Sequence, residues 1–278
     1  MIMKLEAILI AACVPFSDNP FKIKDDFDMD LLVQSILNYG VMYPIMVRPL
    51  ENGEYEIISG HRRVHACKKA GIEKIPAFIR PMSRDKAVIC LVDSNLHRER
   101  LLPSEKAFAY KMKVDALTHQ GKTSVRLGQK SSRGLVAAVV GESETQIQRY
   151  IRLTYLIKPL LDLVDEGRIA FSPAVELSYL SEAAQKAVYD YYAENEVTPS
   201  YSQANQMKKR SNDGTLTTES LKQILDQPKP NQAETIKIPV ASVRRFRPNY
   251  SIKQLQDFIE KACEHYARYL RNRERDAR

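Results

Sequence analysis

The apolar residues of this chain change period once, close to Asp85, and that change constrains the fold more than any other feature. Before it, short strand-like runs ("PIMVRP", "EYEIIS") are interleaved with runs at helical spacing ("DMDLLVQSILNYG", "RRVHACKKAG"). "LENGEYEIIS" reads as a turn on Asn52-Gly53 entering a strand, and "KIPAFIRP" as another strand. After Asp85 the patterned stretches are helical, beginning with "RDKAVICLVDSNL" and then "PSEKAFAYKMKVDALTHQG", where Pro103 and Ser104 are start signals. The expectation is a small mixed α/β N-terminal domain followed by an all-α domain and a short, mainly helical C-terminal region. A chain of 278 residues has room for both domains. The expected boundaries are residues 1–96, 97–206, a polar linker with a brief helical island at 207–235 and a basic helical tail at 236–278.

Charge narrows the partners. Forty-two basic against 34 acidic side chains give a formal net charge of +8, which favours a polyanion such as nucleic acid or an anionic membrane. The opening "MIMKLEAILIAACV" is too short to span a bilayer and is interrupted by Glu6; it also lacks the strongly basic start of a signal peptide. A cytoplasmic protein with no membrane partner is expected. Cys13, Cys67, Cys90 and Cys263 are widely separated, with no CxxC pair, so they outline neither a disulfide scaffold nor a thiolate zinc site. His61 and His65 would lie one helical turn apart, but no third ligand accompanies them.

Two short segments carry candidate anion chemistry. In "SGHRRVHA", Gly60 can take backbone angles closed to other residues, Arg62 and Arg63 offer forked donors, and a helix first turn offers free N–H groups. By itself this also fits a glycine turn with solvated arginines. In "VDSNLHRERLLPSEKA", Asn95 and Arg98 fall about one turn apart; an amide oxygen can complete a magnesium shell and an arginine can offset phosphate charge. Together they suggest two walls of a nucleoside triphosphate pocket. No GxxxxGKS/T loop is present, and "HQGKTS" lacks the upstream glycine and strand of one.

A third segment points to DNA. "SRGLVAAVVGESETQIQRYIRLT" reads as two helices around a glycine turn, a helix-turn-helix at about 133–153. Ser143 can cap the second helix; Ile147, Tyr150, Ile151 and Leu153 give it a buried side. Thr145, Gln146, Gln148, Arg149 and Arg152 form the polar side, of types suited to base edges and phosphates. Ala137, Gly141, Ile147 and Tyr150 fall at the usual positions, whereas Glu142 stands where an apolar residue is common. Many helical hairpins bind no DNA, so this segment gains weight from the basic chain. In the tail, Leu255, Phe258, Ile259, Ala262, Tyr266 and Leu270 form an apolar stripe on a helix, which must dock on the body or on a second copy.

Taken in order, "MDLLVQSILNYGVMYPIMVRP", "GEYEIISGHRRVHACKKAGIEKIPAFI" and "DSNLHRERLLPSEKAFAY" resemble the ParB/Spo0J/Noc partition and nucleoid-occlusion proteins, most closely those of plasmids and conjugative elements. The resemblance covers about residues 15–205, including the helix-turn-helix. It implies an N-terminal fold shared with sulfiredoxin and certain serine kinases, which in many members binds CTP with Mg2+. It implies a homodimer that recognises a palindromic, centromere-like site on double-stranded DNA and closes on it as a clamp. A ParA-like ATPase partner and a nucleoid- or plasmid-associated location follow from the same resemblance.

Carried onto this chain, Gly60, Arg62 and Arg63 match the triphosphate-holding residues, with His61 between them and Ala66 closing the motif. Asn95 matches the magnesium-associated asparagine, and Arg98 the arginine three residues on. Asn19, Pro20, Phe21 and Lys22 resemble the loop beside the base, and Gly40 and Pro44 match the segment before the first "IxVR"-type strand. Ser143, Thr145, Gln146, Gln148, Arg149 and Arg152 fall in the recognition-helix region. Two departures matter: His61 and Ser94 stand where the family usually has glutamates linked to magnesium handling and hydrolysis. The expected function is thus a site-specific DNA-binding partition protein that binds CTP and hydrolyses it weakly or not at all. A transcriptional or nucleoid-occlusion regulator is the alternative, and a serine-kinase-like enzyme ranks below both.

Overall fold

The computed structural model describes residues 4–96, 101–121, 131–227, 240–247 and 249–276. They fall into two compact units, Met1–Gln227 and Pro228–Arg278. The apolar opening of the chain, for which the sequence pattern offers no strand, forms two: β1 (Lys4–Leu9) and β2 (Cys13–Val14). Both lie at the edges of a five-stranded sheet of order β1-β5-β3-β4-β2, completed by β3 (Ile45–Pro49), β4 (Tyr55–Ser59) and β5 (Lys74–Ile79). An edge strand with one buried side chain, Ile8 in β1, shows little alternation, so its sequence carries a faint signal.

β1 runs antiparallel to β5 with Ile8 opposite Ile75, and β3 runs parallel to β5 with Ile45 opposite Ala77. β3 and β4 form the antiparallel hairpin expected around Asn52-Gly53, and β2 adds in parallel on β4. Successive side chains of a strand face opposite sides. Ile57 of β4 therefore enters a core with Ile45, Val47, Met29 and Ile36, while Ile58 enters another with Phe16, Leu91 and Val92. The first core is covered by α1 (Phe27–Tyr39) and α2 (His61–Lys69), the second by α3 (Arg84–Leu96) and α4 (Pro103–Gly121).

The remainder of this unit is helical: α5 (Ser132–Val140), α6 (Glu144–Leu153), α7 (Lys158–Asp165), α8 (Phe171–Leu177), α9 (Glu182–Asn195), α10 (Tyr201–Asn212) and α11 (Thr218–Leu225). α4 serves both halves. Ala109 and Ala116 pack on the sheet side, whereas Tyr110 packs with Val136, Ala137 and Ile147 of α5 and α6.

The expected linker at 207–235 needs correction over its first part. α10 runs on to Asn212 with Met207 buried in the helical core, and α11 packs Leu221, Ile224 and Leu225 into the same core. α11 carries a capping box, with Thr217 and Ser220 exchanging side-chain-to-backbone bonds, so its polar sequence is a built helix start. Residues 228–235 lie outside the described residues.

The second unit contains α12 (Val240–Arg244) and α13 (Ile252–Asp276). Leu255 and Val243 are buried, but Tyr266 and Leu270 further along the stripe stay exposed. Val243, Phe246, Phe258, Ile259, Ala262 and Tyr266 line an apolar groove of about 410 Å³. Among the described residues no helix is long and apolar enough to cross a membrane.

Candidate nucleotide pocket and nucleic-acid interface

Gly60 takes φ 103°, left-handed backbone open to glycine and little else, and links β4 directly to α2. A Cβ there would sit 2.6 Å from Ile45 Cγ2, so packing and backbone both demand glycine. Gly60 supplies no capping side chain to the first turn of α2. Such a turn favours an anion.

The two adjacent arginines behave differently. Arg62 is about one-third exposed (34%), its nearest anionic contact being Asp26 at 3.7 Å, too long for a strong hydrogen bond. Arg63 turns inward, donating to the carbonyls of Tyr43 and, at 2.7 Å, Pro44. Burial pushes its pKa below the ordinary guanidinium value, opposed by the nearby Cys67. Arg63 therefore braces the segment before β3, and Arg62 is the arginine left for a ligand. His61 is buried at the start of α2. On the outer face of α2, His65 and Lys69 meet Asp25 at 2.9 and 3.2 Å, and those hydrogen bonds, His65 first, hold the Asp25 carboxyl below its ordinary range.

Asn95 is buried on α3, and its Nδ2 donates to Leu91 O at 2.8 Å and to Ser94 Oγ at 3.3 Å, leaving Oδ1 as an acceptor. Ser94 Oγ donates to Leu91 O in turn. Asp93, the nearest carboxylate in sequence, pairs with Lys113 of α4. Arg98 lies outside the described residues. Phe21 is buried among the residues covering the second face of the sheet. Lys22 is tied to the helical half: its N–H donates to Glu105 Oε1 at 2.9 Å and its ammonium meets Asp165 Oδ2 at 3.3 Å. Glu105 also accepts from Leu102 N, and Asp165 from Ser104 N and Oγ.

The donor set suits a polyphosphate better than a metal. The first turn of α2 and Arg62 complement negative charge. A magnesium ion finds Asn95 Oδ1, but among the described residues no group of three or more His, Cys, Asp or Glu is placed to hold a metal.

The helical half forms the two-helix unit expected around Gly141. α5 starts at a Ser131 cap, ends at Gly141 with φ 72°, and α6 starts at Ser143, whose Oγ accepts from Gln146 N. Ser143 is thus a cap first. Thr145 and Gln148 are exposed on α6, opposite buried Ile147. Gln146 accepts from Arg149 at 3.4 Å; Arg149 in turn donates to Ser172 Oγ at 2.8 Å and lies over the Phe171 ring. Arg152 donates to Ser178 O at 2.6 Å and stacks against Tyr155 and Tyr179. Both arginines lean on α8 and its C-terminal turn, and so the face of α6 left open centres on Thr145 and Gln148.

Other residues of the interface carry weaker sequence signals. Glu142 replaces the common apolar contact of the turn with polar ones, accepting from Tyr110 Oη at 3.2 Å and Lys106 Nζ at 3.5 Å. Arg133 of α5 donates to Gln148 Oε1. Glu105 has a readable signal, standing three residues after Leu102 at a proline-started helix, whereas nothing in the sequence marks Asp165 as its neighbour.

Residues 4–96 match the family model for the ParB N-terminal domain. A probable chromosome-partitioning protein ParB of Pseudomonas putida is 32% identical over 169 residues, 60% of this chain and 53% of that protein. A nucleoid occlusion protein of Listeria monocytogenes is 31% identical over 195 residues, 70% of this chain and 64% of that protein. This chain therefore spans just over half to under two thirds of the length of these relatives. Among solved structures, the C-terminally truncated ParB of Caulobacter crescentus complexed to the centromeric parS site aligns over 74% of this chain and 99% of that chain. Its identity is 20% and its TM-score 0.44.

Proposed function

This chain belongs to the ParB/Spo0J/Noc family, and from that premise we propose that it is a site-specific DNA-binding partition protein whose N-terminal domain binds CTP. The observation carrying the DNA half is the capped α5–Gly141–α6 unit, docked on α4 with Thr145 and Gln148 exposed on its second helix. A helix presented this way can enter a major groove, with neutral donors and acceptors for base edges. The formal net charge of +8 supplies the sequence-independent attraction to phosphate.

On the nucleotide side, Arg62 and the first-turn N–H groups of α2 would hold the phosphates, with Gly60 letting the backbone approach. Arg63 keeps the Tyr43–Pro44 segment in place, and Asn95 Oδ1 would be the magnesium ligand. When bound, CTP supplies negative charge beside Arg62, competing with Asp26. With His61 and Ser94 at the positions of the family's glutamates, turnover is weak or absent. CTP titration, with ATP, GTP and UTP as controls, should give selective binding that falls at least about ten-fold in Arg62→Ala. Robust phosphate release in magnesium would overturn the hydrolysis reading.

In the full function, two copies meet on a palindrome, with α13 offering an apolar stripe for self-association and a ParA-like ATPase as the further partner. Selection of bound duplexes from a random library, with and without CTP, tests the whole reading. It should return a palindromic motif; a pool without sequence enrichment would overturn it. A nucleoid-occlusion or regulatory role on the same fold is the second reading, favoured by the likeness to the Listeria protein over 70% of this chain.

A further inference from the structure

The exposed glutamine of α6 does not offer the two ends of its amide equally. Arg133, on α5, donates from Nη1 to Gln148 Oε1. A guanidinium carries only N–H donors, so the amide atom that meets it is the oxygen, whichever way the amide is drawn. Gln148 then keeps the hydrogens of Nε2 and one lone pair of Oε1. A second tie holds the same two helices together nearby: Ser131 Oγ, which caps α5, donates to Glu144 Oε2 at 3.0 Å. Gln146 is spent in the same sense, its Oε1 accepting from Arg149 at 3.4 Å.

This pairing has a chemical consequence in a major groove. A free glutamine reads adenine by accepting from N6 and donating to N7. A glutamine whose oxygen already accepts from a guanidinium keeps one lone pair beside a cation, which biases the amide toward donating. Guanine presents two adjacent acceptors there, N7 and O6, adenine the acceptor N7 beside the donor N6, thymine one acceptor and cytosine a donor. We propose that Arg133 is a specificity-determining residue: by taking one lone pair of Gln148 Oε1 it biases Gln148 toward donating, which favours guanine, with two adjacent acceptors, over adenine, with one. The inference rests on the reading of α6 as a DNA-recognition helix.

The test is library selection with the full chain and three variants, scored as base preference at each position. Gln148→Ala maps the position by relaxing it. There the wild type should favour guanine over adenine by about ten-fold or more. Arg133→Met keeps the side-chain stem and removes the donors. In it the preference should move toward adenine at that one position, the rest of the motif holding. Arg133→Lys, which retains a donor and the charge, should keep guanine. A lost phosphate contact or a loosened fold would instead lower all positions together. A motif that Gln148→Ala alters but Arg133→Met leaves unchanged would overturn this inference and spare the DNA reading. So would adenine, thymine or cytosine at that position in the wild type. A wild-type pool with no motif would overturn the DNA reading, and the inference with it.

Discussion

Gly60 and its two arginines show how far adjacent residues can diverge in role. The motif "GHRR" suggests a pair of phosphate-holding guanidinia, yet Arg63 is bound to the carbonyls of Tyr43 and Pro44 and only Arg62 stays at the surface. Arg63→Ala should lower stability by about 1–3 kcal/mol, because the carbonyls of Tyr43 and Pro44, the latter partly buried, lose a charged donor. Arg62→Ala should leave the urea midpoint nearly unchanged while weakening CTP binding. Denaturation and nucleotide titration on both variants separate the two roles. Gly60→Ala should cost at least about 2 kcal/mol, through left-handed backbone strain and the approach to Ile45, seen as a fall in Tm. The glycine was legible in the sequence because a strand runs straight into a helix there. The split between the arginines was not, since it depends on which of them reaches a segment nearly twenty residues earlier.

At the scale of elements, α4 is the piece that joins the two halves. Its Tyr110 is buried against the helix-turn-helix and donates to Glu142. Burial, then the Glu142 charge, raises the tyrosine pKa above its ordinary 10.0. A proton held more tightly in the folded state stabilises it below the unfolded pKa, and that contribution is lost as pH climbs beyond 10 toward the folded value. The stability difference between wild type and Tyr110→Phe should therefore narrow or reverse as pH rises from about 9 to 11, followed by urea midpoints; a constant difference would contradict it. Some helix starts and stops were readable: Pro103 opens α4, Ser143 caps α6 and Gly141 ends α5 as expected, while Asp26, Ser131, Ser181 and Ser200 also cap. The edge strands β1 and β2 were not, and α11 was legible only as a brief helical island in a polar stretch. Two edge strands bury few side chains, and α11 has a polar exterior whose three buried residues are a short signal.

At the scale of the whole molecule, the proposed function draws on the net positive charge, the α5–α6 pair and the apolar stripe of α13. The stripe on α13 is covered near its start and exposed beyond, so self-association there would bury Phe258, Ile259 and Tyr266. Replacing Phe258 and Tyr266 together by glutamate should shift the sedimenting species from dimer to monomer; an unchanged dimer would move the interface elsewhere. Loss of one half-site contact should then weaken binding to a palindrome far more than to a single half-site. The sequence carried the order of motifs along the chain, which is why the family was legible. Which polar side chains of α6 turn outward depends on α8 and the turn after it, whose positions no local pattern encodes.

The central claim is that α6 reads sequence through Thr145 and Gln148. The most direct measurement is the affinity ratio between a selected duplex and its scrambled counterpart at fixed salt, for wild type and for Thr145→Ala with Gln148→Ala. The wild-type ratio should be about a thousand-fold or more. In the double variant it should collapse toward unity while affinity for the scrambled duplex stays within about two-fold. A wild-type ratio near one, or equal losses on both duplexes, would contradict it.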